Sequence, residues 1–181
     1  IFKQMNLSIV IPVYNSANIL NELITRIENS LIKSELKDNF EIVLVNDSSK
    51  DDSWEKIKKI SAKYSRVKGI NLSKNFGQHN ALIARLNYCK GKKIITMDDD
   101  LQHPPESIID LYNSLQSCDA IYTYYKNRRH IKWKKAVSWL NNIISSFLLN
   151  KPFHIYLSSF RGFNESVAKE IIKFKIPNVY L

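Results

Sequence analysis

Glycine is scarce in this chain of 181 residues, which has four: Gly69, Gly77, Gly91 and Gly162. With so few, neither GxGxxG nor GxxxxGK(S/T) occurs, which disfavours a dinucleotide oxidoreductase and a P-loop NTPase. Cysteine is scarcer still. Cys89 and Cys118 stand far apart without a CxxC or Cys/His ligand spacing. That argues against a disulfide framework or a structural zinc site and fits a reducing, cytosolic setting. No run of about eighteen apolar residues occurs, nor a charged N-terminal region followed by an apolar run and a cleavage site, so neither a membrane span nor an export signal is expected here. The chain opens on Ile1 with its first methionine at Met5, which leaves a membrane anchor outside these residues compatible with the sequence. Acidic residues are outnumbered 17 to 27 by Lys and Arg, for a net charge of +10. Such a surface attracts phosphates, whether of nucleic acid, anionic lipid or nucleotide, without choosing among them.

Hydrophobic residues make up 44% and aromatics 11%, which excludes the disordered class, and the length suits a single domain, 1–181. Leu7 to Val13, LSIVIPV, is a nearly unbroken apolar run of the kind buried on both faces of a parallel sheet. Leu20, Leu23, Ile24, Ile27 and Leu31 then recur at helical spacing, with Asn18 the expected N-cap. The alternation repeats: a strand at Phe40 to Val45, a helix bearing Trp54, Ile57, Ile60 and Tyr64, a short strand at Val67 to Leu72, and a helix signal near Gly77. Lys93 to Met97 reads as a strand, Pro104 and Pro105 open a helix carrying Ile108, Leu111, Tyr112 and Leu115, and Ala120 to Tyr124 reads as a strand. This pattern predicts an α/β fold, a Rossmann-like, mainly parallel sheet flanked by helices on both faces. No linker or repeat divides the chain. Beyond Tyr125 a stretch dense in Lys and Arg precedes an amphipathic pattern at Val137, Leu140, Ile144, Phe147 and Leu148.

Ligands of such sheets gather at the carboxyl ends of the strands. The residues there are Tyr14 and Asn15, then Asn46 and Asp47, then Lys74 and Asn75, then Asp98, Asp99 and Asp100. On an extended segment Asp98 and Asp100 point one way and Asp99 the other. Paired hard oxygens suit Mg²⁺ or Mn²⁺ shared with substrate phosphates. The bland alternative is a solvated acidic turn, and the rim position in a basic chain favours metal. Asp47 is either a ligand acceptor, for instance of a pyrimidine N–H, or a turn-stabilising aspartate. Asp51 or Asp52 caps the helix of Trp54. His79 and His103 have no nucleophile elbow beside them, so each reads as a hydrogen-bonding or packing residue.

IPVYN (Ile11 to Asn15), VNDSSKDDS (Val45 to Ser53), NFGQHNAL (Asn75 to Leu82) and MDDDLQHPPE (Met97 to Glu106) together resemble the family 2 glycosyltransferases. NFGQH, DLQHPPE and SSFRGFNESVAKEI (Ser158 to Ile171) resemble the branch of dolichyl-phosphate mannose synthase and bacterial undecaprenyl-phosphate glycosyltransferases. The resemblance implies a GT-A fold, a UDP- or GDP-linked sugar donor, a divalent cation (Mg²⁺ or Mn²⁺) and a role in cell-wall or glycan biosynthesis. It places Pro12, Tyr14 and Asn15 in the nucleoside pocket, Asp47 at the base, and Lys74 near the donor phosphates, with Asn75 and Asp98 in the donor-binding set. Asp98 and Asp100 match the acidic positions of a DxD motif, and Gln102 is a further metal contact. Asp99 stands where relatives often have alanine, Ser16 where they usually have glutamate after IPVYN, and Ser48 where a glycine is common. For a polyprenyl phosphate acceptor the resemblance offers Arg161 in an FRL-type motif, Ser159 beside it, and Arg128 and Arg129. Guanidinium groups suit bidentate phosphate capture. The bland reading of that basic run, Lys132, Lys134 and Lys135 above all, is a solvated face or attraction to anionic lipid. Trp133 and Trp139 suit either a membrane interface or core packing.

The implied reaction is an inverting displacement with Asp100 and Arg161 in catalytic roles. A phosphate monoester has a second pKa of about 6, so a lipid phosphate acceptor needs less help from a base than a sugar hydroxyl. The expected setting is the cytoplasmic face of a membrane, peripheral or anchored by segments outside this chain, with no nucleic acid partner and with a homo-oligomer allowed. The nearest rival is the same fold acting on a glycan hydroxyl. A rival of another class is a non-enzymatic module gripping RNA through the basic stretch, which leaves the three aspartates without a purpose.

Overall fold

The computed structural model describes residues 5–74, 86–124 and 157–173. The helix expected near Gly77 and the basic, amphipathic stretch lie outside them. Two compact units divide the chain, Ile1–Ile121 with Phe160–Leu181 and, separately, Tyr122–Ser159. Of the second unit residues 122–124 and 157–159 are described, with Ser158 buried.

The described elements are β1 (Met5–Val13), α1 (Leu20–Ile32), β2 (Phe40–Asn46), α2 (Ser53–Lys63), β3 (Val67–Asn71), β4 (Gly91–Thr96), a 3₁₀ turn (Pro105–Ser107), α3 (Ile108–Ser114), β5 (Ala120–Tyr124), β6 (Leu157–Asn164) and α4 (Glu165–Lys173). The sheet order is β3-β2-β1-β4-β6-β5. Strands β1 to β4 pair in parallel, whereas β6 runs antiparallel to β4.

Both faces of the central strands are covered, which is why their sequences are unbroken apolar runs. Leu7, Ile9, Ile11 and Val13 of β1 and Phe40, Ile42 and Leu44 of β2 pack with the apolar stripe of α1, with Ile57 and Ile60 of α2 and with Ile108 and Leu111 of α3. Val10 and Ile94 point to the opposite face and pack with Phe163 and with Ala168 and Ile171 of α4.

Two local expectations change. Asn18 does not cap α1: the helix starts a residue later, with Ile19 at the cap position and no side-chain cap bond. The Ile19 amide instead bonds the Ser16 carbonyl at 3.1 Å, so a turn of the preceding loop prepares the helix. Pro105 opens a single 3₁₀ turn ahead of α3 rather than the helix itself.

A buried carboxylate pins the amino ends of the four parallel strands. Glu41, 1% exposed, accepts the Ser8 hydroxyl at 2.7 Å and the Lys90 amide at 2.6 Å, and pairs with the Lys68 ammonium. Gly91 begins β4 so close to β1 that a Cβ there would lie 2.4 Å from the Ser8 nitrogen, a place only glycine fits.

Candidate active site

The order β3-β2-β1-β4 reverses direction between β1 and β4, and a doubly wound sheet opens its ligand crevice at such a switch point. Pro12 stands at this opening. The Val13 carbonyl accepts the Asp47 amide on the β2 side, and the Val10 carbonyl accepts the Met97 amide on the β4 side. Pro12, two residues past Val10, therefore turns its missing N–H toward β4, beyond the last β1–β4 register pair, Val10 with Thr96. A proline in a central strand is tolerated because the ladder has already ended on that side.

Three loops meet at this rim, and each holds one residue left-handed: Asn15 (φ 53°), Ser48 (φ 57°) and Leu101 (φ 56°). Among the described residues these are the non-glycine positions with positive φ. A left-handed non-glycine residue costs about 1–2 kcal/mol and persists where surrounding bonds over-determine it. Ser48 takes a left-handed backbone that glycine adopts without strain. Leu101 is held by packing its side chain against the main core.

The three aspartates follow β4 into a bend that spans Asp99 to Leu101. Asp99 turns toward the β1 loop and accepts the Tyr14 amide at 3.2 Å. Burial pushes its carboxyl up, helped by the charge of Asp98 and opposed by hydrogen bonds from Ser16 and the Tyr14 amide. Asp98 is half-buried and Asp100 exposed, the latter accepting the Gln102 amide at 3.0 Å. Both charges act on the His103 imidazole, which burial holds below its ordinary pKa against their pull. His103 is 5% exposed and packs on Phe160 with ring centroids 5.2 Å apart, the packing role its sequence context suggested. Asp98, Asp100 and the exposed Gln102 are hard oxygen donors within five residues of one another, chemistry that fits Mg²⁺ or Mn²⁺ completed by phosphate oxygens. No group of three or more His, Cys, Asp or Glu side chains among the described residues forms a cage without such oxygens.

Pro12, Tyr14, Asn15 and Asp47 follow or end the strands at the same rim. Tyr14 is 47% exposed, Pro12 half-buried and Asp47 6% exposed at the end of β2. Asn15 is committed to structure, its Oδ1 accepting the Lys50 amide at 2.8 Å. Lys74 is exposed beyond β3. Arg161 lies in β6 at the register position of Thr96, so its backbone stands beside the end of the strand that leads to Asp98. Ser159, in the second unit, is half-buried. Asn75, Arg128 and Arg129 lie outside the described residues.

The sequence reading missed how the β1 loop is held. Asp51, singled out only as a cap candidate, accepts the Ser53 amide at 3.0 Å and also the Ala17 amide at 3.1 Å across the rim. Burial pushes its carboxyl up, but bonds from the Ser53 hydroxyl and the Ala17 and Ser53 amides outweigh it and hold the group below the ordinary carboxylate range. Ser49 and Ser53 accept the Asn15 and Ser16 amides at 3.0 and 2.9 Å. The density of Ser and Asp in VNDSSKDDS was the available signal, although nothing local says that their partners lie on another strand's loop.

A twisted parallel sheet with an antiparallel strand beside β4 and a carboxylate-bearing crevice at its switch point defines a GT-A nucleotide-sugar fold. The chain belongs to the family described as "Glycosyl transferase family 2", matched over residues 8–172. It is 40% identical over 176 residues to undecaprenyl-phosphate 4-deoxy-4-formamido-L-arabinose transferase of Pseudomonas syringae, a match covering 96% of this chain and 52% of that protein. The chain thus spans about half the length of that curated relative. Among solved structures, glucosyl-3-phosphoglycerate synthase of Mycobacterium tuberculosis with Mn²⁺, UDP and phosphoglyceric acid superposes with a TM-score of 0.66 at 16% identity, over 90% of this chain and 57% of that one. Mannosyltransferase PcManGT of Pyrobaculum calidifontis with GDP-Man and Mn²⁺ superposes with a TM-score of 0.64 at 14% identity, over 94% of this chain and 47% of that one. Both share the fold. No helix among the described residues is long and apolar enough to cross a membrane.

Proposed function

We propose that this chain is the donor-binding part of an inverting, metal-dependent glycosyltransferase that moves a sugar from a nucleoside diphosphate to a polyprenyl phosphate, folded as one catalytic domain over 1–181. The observation that carries the reading is the pair Asp98 and Asp100 at the β1–β4 switch point of a family 2 chain, with the middle carboxylate turned away. Tyr14 offers an exposed ring for a base, Pro12 and Asn15 shape the nucleoside pocket, and Asp47 accepts from the base edge. Lys74 and Asn75 meet the donor phosphates. Asp98, Asp100 and Gln102 hold Mg²⁺ or Mn²⁺, which when bound neutralises charge gathering on the departing diphosphate.

In the transfer, a lipid phosphate oxygen forms a bond to the anomeric carbon as the bond to the nucleoside diphosphate breaks on the opposite face. The acceptor phosphate is already anionic near neutral pH, so orientation replaces proton abstraction. Arg161, with Ser159, Arg128 and Arg129, supplies that orientation through charge-assisted hydrogen bonds. The name of the Pseudomonas relative, an undecaprenyl-phosphate transferase, favours a lipid phosphate over a glycan hydroxyl as acceptor and a membrane surface as the working place.

Thermal unfolding with UDP or GDP, each with and without Mn²⁺, tests the reading. A ligand at 100 times its dissociation constant adds about 2.7 kcal/mol. That raises the midpoint of a domain of this size by several degrees. The expected result is a metal-dependent rise with one nucleotide, lost in Asp100→Asn. A folded chain that shifts with neither nucleotide overturns the proposal.

A further inference from the structure

Four consecutive backbone amides follow β1 into the rim, and each donates to a side-chain oxygen from another loop. Tyr14 donates to Asp99 Oδ2 at 3.2 Å, Asn15 to Ser49 Oγ at 3.0 Å, Ser16 to Ser53 Oγ at 2.9 Å and Ala17 to Asp51 Oδ2 at 3.1 Å. A run of amides through a left-handed residue, here Asn15, is a backbone shape that cradles anions. The protein's own oxygens fill it, so the loop is locked in place instead of serving as a phosphate seat.

The four acceptors are not equivalent. Ser49, Asp51 and Ser53 come from the β2–α2 loop, on the side where β1 remains paired as far as Val13. Asp99 comes from across the crevice, on the side where the ladder has ended. The Ser16 hydroxyl donates to the Tyr14 carbonyl at 3.1 Å, which ties the loop's own turn together beside the Tyr14 amide that Asp99 holds. Asp99 also sits between Asp98 and Asp100 in the chain, so its anchorage limits how that pair can move relative to Tyr14.

We propose that Asp99 is a positioning residue: by holding the Tyr14 amide across the crevice, it fixes the nucleoside-binding loop against Asp98 and Asp100 and thereby couples nucleotide binding to cation binding. The inference rests on the nucleotide-sugar reading and assigns the coupling within it. Ligands that meet a rim held in one geometry raise each other's affinity reciprocally. A carboxylate that merely stabilised the fold would weaken both ligands without changing the factor by which one improves the other.

The experiment compares the chain with Asp99→Ala and Asp99→Asn by calorimetric titration of UDP and GDP, with and without Mn²⁺, and by amide hydrogen exchange. The affinity gain that Mn²⁺ gives the nucleotide is expected to fall about tenfold in Asp99→Ala and to return in Asp99→Asn, whose side-chain oxygen still accepts from Tyr14. Exchange at Tyr14 quickens by a similar factor in Asp99→Ala while the amides of Ile9 and Ile11 stay protected. Should Asp99→Ala fail to fold, the unaltered chain decides: Mg²⁺ alone slows exchange at Tyr14 and leaves Ser16, held from the β2–α2 loop, unchanged. An unchanged Mn²⁺ gain in Asp99→Ala, or equal slowing at Tyr14 and Ser16, overturns the coupling and leaves the nucleotide reading standing. An unaltered chain that binds neither nucleotide overturns both.

Discussion

Replacing Glu41 by alanine tests the reading of the sheet's amino end. Its carboxylate is buried at 1% exposure and holds the Ser8 hydroxyl, the Lys90 amide and the Lys68 ammonium, one partner from β1, one from the approach to β4 and one from β3. Lys68 is 41% exposed, so its ion pair is screened and contributes under about 1 kcal/mol. The larger loss comes from Ser8, itself fully buried, and from the Lys90 amide, which lose a charged acceptor together. Leaving a buried donor without its acceptor costs about 1–3 kcal/mol, so the two together cost about 3–5 kcal/mol. At about 2–4 °C per kcal/mol for a chain of this length, the midpoint falls by about 10 °C. Glu41→Gln keeps an oxygen for Ser8 and Lys90 and should lose only about 1–2 kcal/mol. Urea unfolding followed by far-UV circular dichroism measures both variants. A Glu41→Ala variant within 1 kcal/mol of the parent would refute the claim that this carboxylate, not the apolar face alone, fixes the strand starts.

Two further outcomes follow from buried groups. Glu28 of α1 is 4% exposed, its Oε1 has no hydrogen-bond partner among the described residues, and Arg66 Nη1 is 3.8 Å from its Oε2. Burial outweighs the Arg66 charge and raises its pKa above the ordinary 4.5, so the folded state binds this proton more tightly and the charged form is a penalty at neutral pH. Glu28→Gln should therefore raise the unfolding midpoint at pH 8 by a few degrees, an advantage that shrinks as pH falls through the raised pKa toward 4.5; a constant difference across a pH series would contradict this. Burial, with the nearby Glu41 charge, pushes the Cys89 thiol up to about 12 against the Ser8 hydrogen bond and Lys68. Since the thiolate is the nucleophile, iodoacetamide at pH 8 should label exposed Cys118 first and Cys89 only on unfolding, as peptide mass analysis of a time course would show.

Apolar periodicity carries across the chain because burial leaves a local record. A strand covered on both faces is apolar at nearly every position, Ser8 and Glu41 being the hydrogen-bonded exceptions, and a helix lying on it is apolar along one stripe, so β1, β2, α1 and α2 were legible to within a residue or two. The rim was legible too, since polar residues that directly follow such runs must sit at strand ends. That reading set Asp99 apart from its neighbours, and Asp99 is the carboxylate that accepts the Tyr14 amide. What tertiary structure decided is what those side chains bond. The partners of Tyr14, Asn15, Ser16 and Ala17 lie 34 to 85 residues away, and no local spacing encodes a hydrogen bond over that distance. The N-cap expected at Asn18 failed for the same reason, because the loop before α1 takes its shape from Ser53 and Asp51 rather than from its own sequence. Pro12 reads in sequence as the end of a strand. Only the tertiary hydrogen bonds on either side reveal that its missing donor faces β4, past the last rung of that ladder.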